Sequence, residues 1–376
     1  MSFSGYPDQG ATYFYEMSRS LGRLGLDVDA VAVRRGDEAL DEMSDGVHVI
    51  RVPVPLGTTW TSPSRWIRKL QFFRVVAARV RGASYDIVHV YSTLGAFALP
   101  LLAGRRPKWV HELQTGAVSS RSRLARWAQD RVRASQGALF DANLAVTAVL
   151  GQRLFRGRRQ VDVVPAGVNL EAFTPGCEPR LRAELGIQRD AVVFVHAGVL
   201  EEARATDVPV RALARALVRD DRLWLLMPGR GSQLAALRRL AQDLGVAERV
   251  WLPGYLPYGE MPRVFRAADA GLSYLPAVDY YEGQPPMKVM EYLATGLPVL
   301  ASDVASHRML VVDGDNGLLA SADEANYCEL LLRFAGSSAL RQRLASRARG
   351  SVTHLSWDRI ASDRLVPIYR RLLSRN

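Results

Sequence analysis

Short apolar runs alternate with amphipathic stretches along most of this chain. A predicted helix at 11–24 is followed by apolar runs at 28–33 and 48–52 that predict strands. A second series of the same kind begins with the apolar run 191–197 and continues to a predicted strand at 298–301. Strands that alternate with helices are typical of parallel sheets covered by helices. The pattern therefore predicts an α/β fold built from two successive βα domains.

The segment Tyr281–Ser302 combines a loop, a helix and a strand. Pro286 suits the start of a helix, and the predicted helix runs over 287–295 before a glycine. Such a helix presents free N–H groups and a partial positive charge to an anion at its start. Lys288 lies in the first turn, and Glu291 lies about one turn later, where a carboxylate can reach a sugar hydroxyl. We therefore predict a site for a nucleotide diphosphate, with the phosphate at the helix start and the ribose beside Glu291.

Composition narrows the class of protein. The 376 residues carry a net charge of +11, and residues 1–165 alone hold 23 Lys/Arg against 14 Asp/Glu. Only three of the 49 basic residues are lysines, so we ask whether Lys288 is kept for its compact ammonium group or survives by chance. Cys177 and Cys328 are too few and too distant in sequence to indicate a disulfide framework or a metal cluster. We expect a reducing cytoplasmic location and predict no metal site.

The stretch 63–81 predicts a basic amphipathic helix. Two interpretations stay open: a core-packed helix with a solvated charged face, or a helix that associates peripherally with an anionic membrane at its inner face. Nucleic-acid binding is not predicted, because the basic half lacks interleaved aromatic residues and a recognisable motif. The predicted apolar stripe consists of Trp66, Leu70, Phe73, Ala77 and Val80.

Six segments together resemble one family. The chain is similar over essentially its whole length to the GT-B glycosyltransferases, specifically the large retaining group known as family 4. The resemblance implies two Rossmann-like doubly wound domains facing a cleft, with a C-terminal helix that crosses back onto the first. The implied boundaries are 1–165, 166–355 and 356–376. The segments are VDVVPAGVNLEAFTP (161–175), FVHAGVLEEAR (194–204), LLMPGRG (225–231), RVWLPGYLP (249–257), PPMKVMEYLATGLPVLASD (285–303) and SWDRIASDRLVPIYRRLL (356–373).

The resemblance implies a nucleotide-sugar donor and no further cofactor. Glu291 would bind the ribose hydroxyls, and backbone N–H groups near the start of the same helix would hold the distal phosphate. Two family positions differ in this sequence: Val199 stands where an arginine usually helps to clamp the diphosphate, and Gly283 stands where a glutamate usually contacts the donor sugar. The residues implied to bind the nucleotide sugar are Gly10, Gly198, Arg204, Gly254, Tyr255, Glu282, Gly283, Pro286, Met287, Lys288 and Glu291.

The implied reaction is metal-independent sugar transfer to an acceptor hydroxyl with retention at the anomeric carbon. Arg204 and Lys288 would neutralise the leaving diphosphate, and His111 would orient the donor sugar beside it. The acceptor would be a glycan, a glycolipid or a small molecule. Two alternatives stay open: a nucleotide-sugar epimerase of the same fold, and a non-catalytic nucleotide-sugar-binding subunit. We also expect the first strand of the first domain to be truncated, because few residues precede the loop at Gly10.

Overall fold

The computed structural model divides the chain into two compact units. Unit 1 comprises residues 1–167 with residues 357–376, and unit 2 comprises residues 168–356. Gly10 and the predicted first strand lie outside the described residues. The structure describes residues 12–34, 37–53, 64–91, 93–117 and 122–374.

In the described residues of unit 1, the strands form two sheets and are joined mainly by helices. One sheet has the strand order β1-β3-β2 and the other has the order β4-β5-β6-β7. All pairs are parallel except β2 with β3. The elements are α1 (Thr12–Arg23), β1 (Asp29–Val33), β2 (Asp41–Ser44), β3 (Val47–Val52), α2 (Ser64–Gly82), β4 (Ile87–Tyr91), α3 (Ala98–Ala103), β5 (Lys108–Leu113), α4 (Arg123–Gln136), β6 (Ala142–Ala145), α5 (Ala148–Phe155) and β7 (Asp162–Val163).

The antiparallel pair β2–β3 is a hairpin that the sequence prediction missed. Asp45 and Gly46 form its two-residue turn, and both have positive φ, at 50° and 77°. Aspartate followed by glycine is a common pair for this turn, because both central residues need positive φ. The signal was therefore present in the sequence as the pair Asp45–Gly46.

Helix α2 is core-packed, as one of its two interpretations predicted. It buries Phe72 and Val76 in an apolar cluster together with residues of β4 and α3. The predicted stripe is wrong at Leu70, whose surface is 50% exposed. Three members of the stripe, Phe73, Ala77 and Val80, are buried as predicted, and the side chain of Trp66 lies outside the described part of the structure.

Unit 2 contains one six-stranded parallel sheet with the order β12-β10-β8-β13-β14-β15. Strands β10 and β12 lie on one side of β8, and the later strands β13, β14 and β15 lie on the other side, so the order of strands reverses at β8. Ligands in such sheets bind beyond the carboxyl ends of the strands at this reversal. The elements are α6 (Pro179–Glu184), β8 (Val192–Val195), β9 (Gly198–Val199), α7 (Val208–Leu217), β10 (Leu223–Leu226), β11 (Gly229–Arg230), α8 (Leu234–Asp243), β12 (Val250–Trp251), α9 (Met261–Arg266), β13 (Ala270–Ser273), α10 (Met287–Ala294), β14 (Val299–Ser302), α11 (Ala305–Arg308), β15 (Gly317–Ala320), α12 (Glu324–Ala335) and α13 (Ser338–Ala348).

The last helical segment returns to unit 1. It consists of α14 (Trp357–Ile360), a π-helical turn (Ala361–Leu365) and α15 (Val366–Leu373). The ring of Trp357 lies 4.8 Å from the ring of Tyr13 in α1. The hydroxyl of Tyr369 lies 2.6 Å from Nδ1 of His89 in β4. The segment therefore packs on α1 and β4.

No helix in the described part of the chain combines the length and the apolar character that crossing a membrane requires.

Candidate anion-binding site at the strand ends of unit 2

Helix α10 begins at its predicted start, ends one residue before its predicted end and carries the two principal predicted side chains. Pro286 is the N-cap residue and has an extended backbone, with φ −72° and ψ 122°. Proline offers no side-chain acceptor to cap the first turn, so the amides of Met287 and Lys288 are available to an anion. The helix buries Val289, Met290, Tyr292, Leu293 and Ala294 against the rest of unit 2.

Tyr292 fixes α10 to the end of strand β8. Its side chain is fully buried, and its hydroxyl accepts a hydrogen bond of 2.7 Å from the amide of Ala197. Its ring packs against Gly271 of β13, where an added Cβ would come within 2.1 Å of a ring carbon. The hydrogen bond thus joins α10 to the loop after β8, and the ring contact joins it to β13. Sequence reasoning did not single out Tyr292, because an aromatic residue on a buried helix face is ordinary.

Main-chain hydrogen bonds join the loops that follow β8, β10 and β12. The amide of Gly198 donates to the carbonyl of Pro228 at 3.0 Å, and the amide of Gly229 donates to the carbonyl of Gly254 at 2.8 Å. The short strands β9 and β11 pair in parallel between them. A Cβ on Gly229 would lie 2.0 Å from the carbonyl oxygen of Gly198, so this approach requires glycine. The strand ends therefore form a continuous backbone rim.

Lys288 lies against a histidine at this rim. Its Nζ is 3.3 Å from Nε2 of His196, the residue that follows β8. Burial, followed by the charge of Arg204, lowers the pKa of Lys288 to about 7. Burial, followed by the charge of Lys288, holds the pKa of His196 well below its ordinary value. His196 is therefore neutral, and Nε2 accepts a hydrogen bond from Lys288.

Arg204 supplies the second cation of the site. Its guanidinium lies 5.7 Å from the centroid of the Tyr281 ring, and the Tyr281 hydroxyl donates to the carbonyl of Ala203 at 2.9 Å. Among the described residues, no carboxylate contributes to the pKa shift of Lys288, whereas Arg204 lowers it further. Two basic side chains thus lie near each other, and neither forms a salt bridge with a carboxylate of the described part of the chain, an arrangement that favours binding of a polyanion.

The other predicted residues of unit 2 lie around this pair. Glu291 occupies the second turn of α10 and is partly buried, while Glu282 is exposed. Gly283 has a φ of 74°, in the left-handed region. Tyr255 is exposed, and the guanidinium of Arg230 lies 5.3 Å from the centroid of its ring.

His111 lies in unit 1, on β5, and its side chain is fully buried. Its Nδ1 is 3.2 Å from Oδ1 of Asn143, and its ring stacks on Phe140 at 4.7 Å. Burial lowers the pKa of His111 to about 4, so the imidazole is neutral near pH 7. The structure thus places ten predicted residues in unit 2 and His111 in unit 1.

A metal site is a separate question. Within the described ranges, no three or more His, Cys, Asp and Glu side chains form a group that could hold an ion. Metal independence stays a prediction.

Comparison with known proteins finds two family models that cover most of the chain. Residues 178–351 match glycosyl transferases group 1, and residues 10–167 match a glycosyl transferase 4-like domain. One relative, a D-inositol 3-phosphate glycosyltransferase of Frankia alni, is 34% identical over 57% of this chain and 54% of its own length. Another, the D-inositol 3-phosphate glycosyltransferase of Stackebrandtia nassauensis, is 30% identical over 75% of this chain and 67% of its own length. The chain thus spans about half the length of the first of these relatives.

A solved structure shares the architecture. Sucrose-phosphate synthase from Thermosynechococcus elongatus superposes with a TM-score of 0.79 at 20% identity, covering 98% of this chain and 94% of that one. This likeness concerns the fold.

Proposed function

Because this chain belongs to the glycosyl transferases group 1 family and has the predicted α/β, GT-B fold, we propose that it transfers a sugar from a nucleotide-diphosphate sugar to an acceptor hydroxyl. One observation supports the proposal: Lys288 and Arg204 lie near each other beside the open first turn of α10, and within the described ranges neither side chain forms a salt bridge with a carboxylate. A diphosphate would neutralise both cations and accept hydrogen bonds from the first amides of the helix. The position is also the reversal of strand order at which this kind of sheet binds ligands.

The remaining donor contacts follow from the positions along α10 and the rim. Glu291 would accept hydrogen bonds from the ribose hydroxyls, one helical turn beyond the phosphate. Tyr255, exposed beside Gly254, would lie by the base. Gly198 would let the main chain approach the diphosphate closely, since its φ of 124° is one that side chains disfavour. Glu282 and Gly283 would contact the sugar.

We propose that the transfer proceeds with retention and without a metal ion. The bond from the anomeric carbon to the diphosphate oxygen breaks, and the acceptor oxygen bonds to that carbon on the same face. The acceptor proton passes to an oxygen of the leaving diphosphate, so no strong protein base is required. Lys288 and Arg204 stabilise the negative charge that develops on the leaving group. The orienting role of His111 stays a prediction, since its side chain is fully buried in unit 1; its pKa of about 4 makes the imidazole neutral near pH 7.

The acceptor and the location complete the proposal. The names of the curated relatives make D-inositol 3-phosphate the first acceptor to test, ahead of glycans and glycolipids. A pathway of cell-surface polysaccharide, glycolipid or secondary-metabolite synthesis would use such a reaction. We propose a cytoplasmic enzyme that associates peripherally with the inner face of an anionic membrane. The basic character of unit 1 supports this location.

A donor panel tests the proposal directly. Thermal shifts with UDP-, GDP-, ADP- and dTDP-sugars should identify one that stabilises the chain, because a ligand that binds only the native state raises the melting temperature. Glu291→Ala should lose this shift. The matched control Glu329→Ala removes an exposed glutamate of α12 that pairs with Arg219 and should retain it. An unchanged shift in Glu291→Ala would refute the ribose assignment.

Turnover separates the enzyme from its alternatives. Product formation with an acceptor, unchanged by EDTA, is the expected result. Donor binding without transfer or hydrolysis across the acceptor panel would support a non-catalytic binding subunit. Conversion of the donor sugar to its epimer without an acceptor would support the epimerase.

A further inference from the structure

Helix α4 turns its apolar side outward and its polar side inward. Leu124 and Trp127 have 73% and 50% of their surfaces exposed. Arg133 and Gln136 lie on the opposite side and Asp130 lies on its flank; all three are partly or fully buried. A surface helix of a globular protein normally has the reverse arrangement, with its apolar stripe on the core.

The inward side of α4 is held by polar contacts. Oε1 of Gln136 accepts a hydrogen bond of 2.7 Å from the amide of Gly95. Oδ1 of Asp130 accepts one of 2.7 Å from the amide of Ala117. These bonds fix the rotation of the helix about its axis, so the outward position of Leu124 is not an arbitrary orientation. The guanidinium of Arg131 lies 5.9 Å from the centroid of the Trp127 ring, and both Leu124 and Trp127 still have at least half of their surface exposed.

Neighbouring helices extend this surface. Strands β4 to β7 are parallel and adjacent in chain order, so right-handed crossovers place α3, α4 and α5 on one side of the sheet. Helices α2 and α3 pack against each other. The four helices α2 to α5 carry eleven Lys/Arg and a single acidic residue, Asp130. The layer is therefore strongly basic around its exposed apolar side chains.

A cleft beside α4 adds a site for an anionic group. It encloses about 500 Å³ between α4 and α5. Arg131, Arg158 and Arg159 line it together with the apolar side chains of Leu154 and Phe155. Arginines above an apolar floor suit a phosphate that is attached to a hydrocarbon chain.

We propose that the outward face of α4 inserts into the interfacial region of an anionic lipid bilayer, with Leu124 and Trp127 entering the bilayer and the arginines of the cleft binding lipid phosphates. Tryptophan and leucine beside arginine on one helix face are the usual composition of an interfacial helix. The inference rests on the proposed membrane location and refines it: the inserting helix is α4 rather than the predicted α2. An anionic lipid bilayer would both neutralise the positive charge of the layer and bury the apolar side chains of α4. An acidic face of a protein would meet only the first of these requirements.

Vesicle co-sedimentation of the full chain tests this assignment. The probes are vesicles of phosphatidylcholine alone and of phosphatidylcholine with phosphatidylglycerol, each at low and high ionic strength. The chain should bind the mixed vesicles, and less strongly at high salt. Leu124→Ser with Trp127→Ser should lower the bound fraction at least about tenfold, since two apolar side chains lose their insertion. Ile67→Ser with Leu70→Ser is the matched control on α2 and should bind nearly as well as the natural chain.

Each of the other outcomes would overturn the assignment of α4, the proposed membrane location or both. Loss of binding only in the α2 variant would overturn α4 as the inserting helix and leave the membrane location standing. Absence of vesicle binding by the natural chain would overturn both, while donor binding and turnover by the same preparation would leave the sugar-transfer proposal intact. Self-association that the α4 variant abolishes, without lipid binding, would identify the face as an interface between copies of this chain.

Discussion

Replacing Tyr292 with phenylalanine removes one oxygen atom from the centre of the candidate site. The ring would keep its contacts with Gly271 and with Phe265, whose centroid lies 4.8 Å away. The amide of Ala197 would lose its acceptor at 2.7 Å. Ala197 is only 4% exposed, so water cannot readily replace the hydroxyl.

The expected cost follows from leaving a buried N–H unpaired, about 1–3 kcal/mol of unfolding free energy. For a unit the size of unit 2, each kcal/mol corresponds to roughly 2–4 °C in melting temperature. Ala197 precedes Gly198 and follows His196, so relaxation of this amide would also displace the rim at which the diphosphate is proposed to bind. We therefore expect a lower melting temperature and a weaker donor affinity together.

Tyr327→Phe is the matched control. Tyr327 is equally buried, and its hydroxyl donates to the carbonyl of Leu300 at 3.0 Å, within the body of the sheet. It should lose stability with little change in donor affinity. The assays are thermal unfolding and calorimetric titration with the donor identified in the panel. If Tyr292→Phe keeps both its melting temperature and its donor affinity, or if the two variants lose affinity equally, the positioning role of Tyr292 is refuted.

Three further predictions concern the same unit. Donor binding should raise the lowered pKa of Lys288 from about 7, so that the site takes up a proton. The dissociation constant of the donor should therefore increase above pH 7 by up to about tenfold per pH unit. Calorimetric titrations should show that Lys288→Gln abolishes this dependence. Gly271→Ala should lower the melting temperature, by about 1–3 kcal/mol of stability, because its Cβ would overlap the ring of Tyr292; an unchanged value would contradict the packing. Ala205→Gly should raise stability by up to about 1 kcal/mol in denaturant titrations, since Ala205 has a φ of 47°; destabilisation would show that no strain is stored there.

Helix α10 could be predicted from the sequence almost to the residue. Its start after Pro286, the position of Lys288 in its first turn and its end before Gly296 all depend on local residue chemistry. The same holds for the βα alternation of both units, because period and composition are local properties. The alternation predicted the α/β class and the family resemblance supplied the GT-B fold, both of which the comparisons confirm.

Contacts between distant segments could not be predicted in this way. His196 and Lys288 are 92 residues apart, and Ala197 and Tyr292 are 95 apart. No local pattern distinguishes either pair from other buried polar residues. The rotation of α4 is a similar case: the sequence reveals an amphipathic helix, whereas the bonds of Gln136 and Asp130 to remote amides decide which side faces outward.

The pairing of β9 with β11 fixes the shape of the candidate site through main-chain atoms, whereas side chains set the charge of the site. Its hydrogen bonds join main-chain atoms, and its closest approach is at a glycine, so it does not depend on the side chain at position 199. Val199 is 47% exposed there, with room for a larger side chain. Single substitutions at this position can therefore change the charge offered to a ligand while the rim keeps its geometry. Substitution of Val199, in evolution or by protein engineering, is therefore a simple way to change the ligand preference of the site.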